Sequence, residues 1–135
     1  MRVKCVVDTN VLISAVLSKG APFRILEHLI KNNALIFSKE TISELSSRIT
    51  QSKFDKYVSA EDREAYVNNL ILSADLVIID NLIQGCRDRD DDKFLETAVK
   101  GDARFIISGD QDLLTMHRFE GIDIETVQEF AVHTV

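Results

Sequence analysis

The sequence predicts an α/β fold, a doubly wound parallel sheet with helices on both faces. Short apolar runs alternate along the chain with segments whose apolar residues recur every three or four positions. The apolar runs lack the alternation of half-exposed strands, as expected of parallel strands covered on both sides. The chain has 135 residues, 45% of them hydrophobic and 28% charged, which is typical of one globular domain. We therefore expect a single domain over residues 1–135.

The first predicted strand leads into two predicted helices. Residues 3–7 are apolar at all but one position and largely β-branched, and the turn-forming residues 8–10 end this strand. Residues 11–17 are a candidate short helix. Pro22 indicates the first turn of another helix, because proline is accommodated there. Apolar residues then recur at helical spacing, at Phe23, Leu26, Leu29 and Ile30.

The middle of the chain repeats this pattern of strand and helix. Residues 34–37 are a predicted short strand, and Ser38 is a plausible N-cap for the helix that follows. That helix has a narrow apolar stripe, formed by Ile42, Leu45 and Ile49. Residues 60–73 are predicted to be helical, and the continuous apolar run 76–79 to be a buried strand that ends at Asp80.

The last third begins with the polar, acidic loop 87–92. The next helix is predicted from its inward-facing apolar residues, which are Phe94, Leu95, Ala98 and Val99. Residues 104–107 are the fourth predicted strand. A short helix through Leu113 and Leu114 leads to a last short strand near 122–124.

Composition excludes several classes of protein. The formal net charge of -6 removes the electrostatic argument for tight nonspecific binding to duplexes. The apolar runs are far too short to span a bilayer, and Asp8 interrupts any signal-peptide core, so we expect a cytoplasmic protein without membrane association. Cys5 and Cys86 have no CxxC or Cys/His neighbours that indicate zinc, and Cys5 is expected in the core.

Carboxylates follow the predicted strands. In parallel sheets, ligands bind at the carboxyl ends of the strands. Asp8 follows the first strand, and Asp110 and Asp112 follow the fourth. The acidic loop 87–92 opens the helix that leads to the fourth strand, and Glu44 lies on the helix after the second. Four separate segments are therefore expected to bring acids to one edge of the sheet.

Helical phase separates the acids within the 87–92 loop. At about 100° per residue, Asp91 lies at the centre of the arc set by the apolar residues of the following helix, whereas Asp92 lies on its flank. A core-facing acid is costly unless a positive group meets it. Asp90 and Asp92 are more simply interpreted as solvated first-turn acids that complement the helix dipole. Asp91 is thus the first candidate and Asp92 the second.

Each acid also has a purely structural interpretation. Thr41 and Glu44 match the Ser/Thr-x-x-Glu capping box, although capping by Ser38 a turn earlier would leave Glu44 inside the helix. Asp8 could cap the helix after it, and Asp110 could cap the short helix after the fourth strand. These alternatives stay open for each residue taken alone.

A converging set of acids requires neutralisation. Two carboxylates 4 Å apart repel by about 4 kcal/mol at an effective dielectric of 20, so some are protonated or a cation lies among them. Oxygen ligands without His or Cys select Mg²⁺ or Mn²⁺, as one ion or two, and such sites suit phosphoryl chemistry. The histidines, His28, His117 and His133, fall outside the acidic positions.

Neutral and basic side chains accompany the acids. Thr9, Asn10 and Ser108 are suited to orienting a water molecule or the shell of a metal. Five basic residues are weak candidates for gripping a nucleic-acid backbone, with a solvated charged surface as the alternative for each. They are Arg48, Lys53, Arg87, Arg89 and Lys93.

Four segments together resemble a known family. Residues 6–13, which read VVDTNVLI, resemble the opening of a PIN domain, the metal-dependent ribonuclease fold of many prokaryotic toxins. Residues 38–45 resemble the segment that bears its second acid, and 87–98 the helix of its third acid in a branch with an Asp-rich loop. Residues 107–114, which read ISGDQDLL, resemble the fourth motif. The resemblance covers nearly the whole chain, with the motifs in order.

The resemblance implies a PIN-like α/β/α domain with a central parallel sheet of about four to five strands. It implies four metal-binding catalytic acids, namely Asp8, Glu44, Asp91 or Asp92, and Asp110 or Asp112. Alignment to the family pattern from Ala98 favours Asp91. The implied activity is Mg²⁺- or Mn²⁺-dependent hydrolysis of RNA, and the preference for RNA over DNA comes from the family alone. Such domains often dimerise, and members that act as toxins are usually silenced by a small antitoxin protein.

Other enzymes with acids at strand ends fit less well. A haloacid-dehalogenase-type phosphatase needs a second acid two residues after its nucleophile, and that position is Asn10. A response-regulator receiver needs a partner lysine after its last buried strands, which is lacking there. The alternative that stays open is a non-catalytic PIN-fold module that binds RNA or protein.

Overall fold

The computed structural model describes residues 3–134 of the chain. Its strands are β1 (Cys5–Val7), β2 (Ile36–Ser38), β3 (Asp75–Val77), β4 (Phe105–Ile107), β5 (Arg118–Phe119) and β6 (Ile122–Glu125). Its α-helices are α1 (Thr9–Leu17), α2 (Ala21–Lys31), α3 (Lys39–Ile49), α4 (Ala60–Ser73), α5 (Asp92–Lys100), α6 (Gln111–Leu114) and α7 (Val127–Ala131). Short 3-10 turns cover Ser52–Phe54, Arg89–Asp91 and Val132–Thr134. None of the helices in this part of the chain is long and apolar enough to cross a bilayer.

The central sheet is mostly parallel. Its strand order is β1-β4-β6-β5, and only β5 pairs antiparallel with its neighbour. Strands β2 and β3 form a parallel pair of their own, which a bridge between Cys5 and Leu35 joins to β1. The predicted α/β fold with a mostly parallel central sheet is confirmed.

Apolar side chains of β1 and β4 alternate between two cores, one on each face of the sheet. Cys5 and Val7 pack with residues of α1, α2, α3 and α4, whereas Val6 and Ile106 pack with Phe94 and Leu95 of α5. All these strand residues are at most 3% exposed. Burial on both faces explains why the strands read as uninterrupted apolar runs. It also fixes their register and thus which residues emerge at the strand ends.

The predicted buried strand 76–79 is wrong in extent and in burial. Strand β3 ends at Val77, and the side chains of Leu76 and Ile78 are 65% and 87% exposed. Among the described strands β3 pairs only with β2, so it is an edge strand. An apolar run does not distinguish such an edge from a covered central strand.

Two short elements near the C-terminal end were not predicted, whereas the predicted strand near 122–124 is confirmed as β6. Strand β5 has only two residues and α7 only five. Elements this short do not produce a recognisable hydrophobic period in the sequence. The capping residue of α3 was predicted correctly, because the Ser38 side chain accepts a hydrogen bond from the Thr41 backbone N–H. This cap fixes the start of α3 directly after β2.

Candidate metal centre

Adjacent parallel strands bring the first and last motifs together. Val7 and Ile107 are register partners in β1 and β4, so Asp8 and Ser108 leave the sheet side by side. The Asp8 N–H continues the ladder by donating to the Ile107 carbonyl at 2.9 Å. Residues 100 positions apart in sequence thereby form the floor of the candidate site.

Ser108 links two of the predicted acids. Its hydroxyl donates to Asp8 Oδ2 at 2.6 Å, and its oxygen accepts the Asp110 backbone N–H at 3.0 Å. Asp8 is 3% exposed and Ser108 is fully buried. Burial raises the pKa of Asp8, the Ser108 hydrogen bond lowers it, and the charges of Glu44 and Asp110 raise it further. Asp8 stands at the N-cap of α1 without a side-chain capping bond, and its Oδ2 atom accepts from Ser108 instead.

Glu44 reaches the site from the interior of α3. Its carboxylate accepts a hydrogen bond from the Thr9 hydroxyl and pairs with Lys93 Nζ at 2.8 Å and Arg48 Nη2 at 3.3 Å. Because Ser38 caps α3, the interpretation of Glu44 as a capping-box residue is wrong. Glu44 is instead an ion-pair centre that contacts α1 and α5.

Asp91 is the most unusual carboxylate of the group. It ends the 3-10 turn Arg89–Asp91 and is 8% exposed, and its Oδ2 atom is buried without a hydrogen-bond partner within residues 3–134. Burial raises the pKa of Asp91 to about 8, helped by a hydrogen bond and charge from Asp110 and by the charges of Asp8 and Asp88. Asp91 therefore lies beside the acids that follow β1 and β4.

Asp92 has a different environment. The expectation that it is a solvated first-turn acid is wrong, because it is only 9% exposed. Its Oδ1 atom accepts the backbone N–H groups of Gly85 and Cys86 at 3.1 and 2.9 Å. The loop before the 3-10 turn folds over the start of α5 and buries this carboxylate. Asp92 thus anchors the loop at residues 85–86 through backbone hydrogen bonds. Asp91, by contrast, lies among other carboxylates.

The two acids after β4 also differ. Asp110 caps α6 by accepting the Asp112 backbone N–H at 2.8 Å, so the capping interpretation of Asp110 applies in addition to its position beside Asp91. Asp112 pairs with Arg87 Nη2 at 2.9 Å. One carboxylate oxygen each of Asp88, Asp91 and Asp112 lies within 4.8 Å of the other two.

Asp88 was not among the predicted site residues. It precedes the 3-10 turn, and its side chain accepts the Asp90 backbone N–H at 3.0 Å. Helical phase could not single it out, because it lies outside α5. The only signal in the sequence was its membership of the acidic run.

Glu96 is a second residue that the sequence did not single out. It is 1% exposed, and its two oxygens accept backbone N–H groups of four successive residues at 2.5 to 3.1 Å. These donors are the residues Asp80, Asn81, Leu82 and Ile83. The hydrogen bonds outweigh burial and lower the pKa of Glu96. Glu96 therefore anchors the segment that leads from β3 to the acidic loop.

The neutral and basic candidates mostly contact the acids. Thr9 donates to Glu44, and Asn10 Oδ1 accepts Arg48 Nη1 at 3.2 Å. Lys53, by contrast, lies over the Phe54 ring, 5.2 Å from its centre. Arg89 lines a cavity of about 270 Å³ that also contains Lys93. Among the five basic candidates, Arg48, Lys93 and Arg87 are thus already paired with carboxylates of the site.

The donor set fits a hard divalent cation. The oxygen atoms that converge here belong to carboxylates and hydroxyls. The Cys86 thiol lies beside them, but it donates to the Asp112 carbonyl at 3.2 Å, and burial raises its pKa. Within residues 3–134, Asp91 Oδ2 lacks the partner that a buried carboxylate oxygen requires. A cation coordinated by oxygen would satisfy this atom and relieve the repulsion among Asp8, Asp91 and Asp110.

Two solved structures have the same fold at low sequence identity. The crystal structure of PAE2754 from Pyrobaculum aerophilum superposes with a TM-score of 0.65 at 15% identity, over 97% of this chain and 88% of that one. A chain of VapBC2 from Rickettsia felis, solved bound to a DNA fragment from their promoter, superposes with a TM-score of 0.59 at 16% identity. That alignment covers 90% of this chain and 97% of the other.

Sequence comparison is more specific. The uncharacterized protein MJ1680 of Methanocaldococcus jannaschii is 32% identical over 119 residues, which are 86% of this chain and 76% of that protein. A family model described as a PIN domain matches residues 4–112, from β1 to the acids after β4. This chain belongs to the PIN domain family.

Proposed function

We propose that this chain is a metal-dependent endoribonuclease that hydrolyses RNA phosphodiester bonds. The observation that carries the proposal is the buried Asp91 Oδ2 atom, which has no hydrogen-bond partner in the described part of the chain and lies beside the carboxylates of Asp8 and Asp110. Such an arrangement is unfavourable for folding alone and is suited to holding a cation. Membership of the PIN domain family, whose members are generally nucleases, supports the same conclusion.

We assign four acids to the metal, namely Asp8, Glu44, Asp91 and Asp110. Asp112 lies next to Asp91 at the outer side of this group. Mg²⁺ or Mn²⁺ bound there would polarise a phosphate oxygen and lower the pKa of a water molecule. Burial and the neighbouring carboxylates raise the pKa of Asp91 to about 8 in the metal-free protein, so metal binding at neutral pH would release protons. We assign no ligand role to Asp92, because its contacts are with the 85–86 backbone.

The remaining residues of the site would act by positioning. Ser108 orients Asp8 and the backbone of Asp110 at once. Thr9 donates to one oxygen of the Glu44 carboxylate, and Arg48 and Lys93 both pair with the other. Preorganisation of this kind keeps the acids in place against their mutual repulsion and orients ligand oxygens for the metal.

Surface depressions on two sides would accept the nucleic acid. One of about 490 Å³ lies beside Glu44 and is lined by Lys39 and Lys93. Another, of about 430 Å³, lies beside Asp110 and is lined by Asn10 and Ser108. A strand passing from one to the other would cross the acids, with the lysines facing its phosphates. RNA rather than DNA is proposed from the resemblance to PIN ribonucleases.

The proposal extends to partners. VapBC2 of Rickettsia felis has the same fold, and we propose that this chain is likewise the toxin component of a toxin–antitoxin pair, controlled by a small antitoxin protein. We also propose that it acts in the cytoplasm and forms a homodimer. Analytical ultracentrifugation of the purified chain tests the last point directly.

Cleavage of an end-labelled pool of single-stranded RNA tests the activity. The purified chain is incubated with Mn²⁺ or Mg²⁺, with chelator, and as the Asp8→Asn variant. We expect cleavage that requires metal and is lost in the variant, with folding of the variant verified by circular dichroism. Metal binding without cleavage of any RNA would instead support the non-catalytic binding module. Absence of metal binding would refute the assigned site.

A further inference from the structure

The surface depression beside Asp110, here called the Asp110 depression, is almost uncharged. It has a volume of about 430 Å³, which is within the range of small-ligand sites. Among the described residues that line it, Asp110 is the only one with a charged side chain, and none is basic. The depression beside Glu44, by contrast, is lined by Lys39 and Lys93. The two sides of the site therefore offer different chemistry to a nucleic acid.

The Asp110 depression is unsuited to a phosphate group. Proteins hold phosphates chiefly with Lys and Arg side chains. The Asp110 carboxylate repels a phosphate unless a metal neutralises it, and the other described lining residues have no charge. Pro22 and Leu114 are partly exposed in the wall, so a flat uncharged group that covers them would remove apolar surface from water. Among the parts of a nucleic acid, a base fits this description.

Two glutamines at the edge of the Asp110 depression are suited to recognising a base. Gln111 begins α6 and Gln128 lies in α7, and both residues are exposed. A primary amide has a donor and an acceptor side by side. This pair matches the N6–H donor and N7 acceptor of adenine, for which a glutamine amide is a common partner. The Asn10 amide is less available, because its Oδ1 atom accepts a hydrogen bond from Arg48 Nη1 at 3.2 Å.

Gly109 keeps the Asp110 depression open. A methyl group at this position would meet no heavy atom within 4 Å, so close packing does not require a glycine. Its φ angle also lies outside the left-handed region, since Gly121 is the only glycine within residues 3–134 with a positive φ. The backbone at Gly109 therefore accepts other residues. What the missing side chain provides is space directly beside Asp110.

We propose that the Asp110 depression binds one unpaired adenine base that flanks the scissile phosphate, and that Gln111 and Gln128 hydrogen-bond to this base. The inference rests on the proposed function, which it extends from RNA in general to a preferred base. Unpaired bases are the usual target of sequence-specific RNA recognition. Because the Glu44 side offers lysines instead, the preference should lie on one side of the cut only. An amide paired with its base gives about 5- to 100-fold discrimination against the wrong base.

Sequencing of the cut ends from a random pool of single-stranded RNA tests the preference. The pool is cleaved in Mn²⁺ by the wild type, by Gln128→Ala, which removes an amide, and by Gly109→Val, which fills the depression. Gln51→Ala is the matched control, because it removes the same amide from an exposed residue outside the depression. We expect adenine to be enriched about 5- to 100-fold on one side of the cut in the wild type and the control. In Gln128→Ala and Gly109→Val this enrichment should be largely lost.

Binding of free nucleosides tests the same depression without cleavage. Adenosine, guanosine, cytidine, uridine and inorganic phosphate are each titrated into the isotope-labelled full chain in chelator, and nuclear magnetic resonance follows the amides of Gly109, Gln111 and Gln128. We expect adenosine to shift these resonances at the lowest concentration and phosphate to leave them in place. Absence of shifts with adenosine, equal shifts with all the nucleosides, or shifts with phosphate would each overturn the inference.

Failure of the adenine subsite and failure of the nuclease give different results. Cleavage that needs Asp8 but shows no preference for adenine refutes the subsite and retains the nuclease. A preference that both Gln128→Ala and Gly109→Val leave unchanged leads to the same conclusion. Adenosine binding that is lost in Gln128→Ala, in a protein that cleaves no RNA, refutes the nuclease and retains the adenine subsite.

Discussion

The hydroxyl of Ser108 donates to the carboxylate of Asp8 at 2.6 Å, which ties the ends of two neighbouring strands into one site. The same oxygen accepts the backbone N–H of Asp110. One small buried side chain therefore orients the acid after β1 and the segment after β4. This arrangement is possible because β1 and β4 are parallel and in register, so their carboxyl ends coincide.

Ser108→Ala should weaken both folding and catalysis. The change removes the donor to Asp8 and leaves the Asp110 N–H without its acceptor, at a cost of about 1–3 kcal/mol in the free energy of unfolding. Metal affinity or RNA cleavage should fall by about 10- to 100-fold, as is typical when a group that orients a metal ligand is lost. Urea unfolding and Mn²⁺ titration measure the two effects.

Ser108→Thr is the control for that variant, because it keeps the hydroxyl. If its metal affinity resembles that of the wild type while Ser108→Ala falls, the hydrogen bonds are responsible. Equal losses in the two variants would instead indicate packing at this fully buried position.

Asp91 should make the metal-free protein less stable as pH rises. Its pKa is raised from 3.8 to about 8 in the folded state, so between these values the unfolded chain releases the proton while the folded chain retains it. Folding therefore loses stability steadily as the pH rises from about 4 to about 8. Urea unfolding in chelator across this range measures the slope, and saturating Mg²⁺ should remove it.

Asp91→Asn separates this effect from that of other groups. The amide does not ionise, so the decline with pH should become shallower, and the variant should be more stable than the wild type at pH 8 in chelator. A slope unchanged by the substitution would assign the decline to another group, of which Asp8 is the first candidate because its pKa is also raised.

Thr9→Val should loosen Glu44 with little change in shape. Thr9 is 1% exposed, and its hydroxyl donates to the Glu44 carboxylate. Loss of the bond should cost about 1–2 kcal/mol of unfolding free energy and weaken Mn²⁺ binding. Thr9→Ser, which retains the donor, should preserve the metal affinity. Mn²⁺ titration of both variants is the measurement, and equal affinities would exclude Thr9 from the positioning of Glu44.

The sequence was sufficient for the architecture and for the regions that carry the acids. Fully apolar runs predicted strands covered on both faces, and their ends predicted where Asp8 and Asp110 would lie. Helical phase did not separate Asp91 from Asp92 by burial, because Asp91 lies in the 3-10 turn before α5 and both residues are less than 10% exposed. The two acids differ instead in their contacts, since Asp92 accepts backbone N–H groups and Asp91 lies beside other carboxylates.

Features that depend on irregular backbone were not predictable from the sequence. Asp92 is buried by the 85–86 loop and Glu96 by the 80–83 segment, and neither loop has a periodic pattern. Asp88 lies near Asp91 and Asp112 because a 3-10 turn precedes α5, and helical phase does not describe such a turn. Leu76 is exposed because β3 forms the edge of its sheet. Which strand lies at the edge is a property of the topology and not of the local sequence.

Glu96 is a buried charge whose partners are all backbone groups. Four N–H donors from residues 80–83 converge on its two oxygens. Glu96 is therefore the buried anchor of the segment between β3 and the acidic loop, which also makes exposed side-chain contacts with Lys100 and Glu40. Glu96→Gln replaces one acceptor with an NH₂ group that faces N–H donors. We expect a loss of about 2–5 kcal/mol in unfolding free energy, the range for breaking a buried charged network.

Glu96→Gln should affect the 80–83 segment locally as well as the stability of the whole domain. Hydrogen exchange should quicken at the amides of 80–83, and Mn²⁺ affinity should fall because the acidic loop follows this segment. Since the pKa of Glu96 is lowered from 4.5, its stabilisation is present above that pH and is lost as the pH falls further. Glu27→Gln, at an exposed position of α2, is the matched control and should change neither quantity. Normal exchange at 80–83 in Glu96→Gln would show that other contacts hold the segment, and the role assigned to Glu96 would have to be given up.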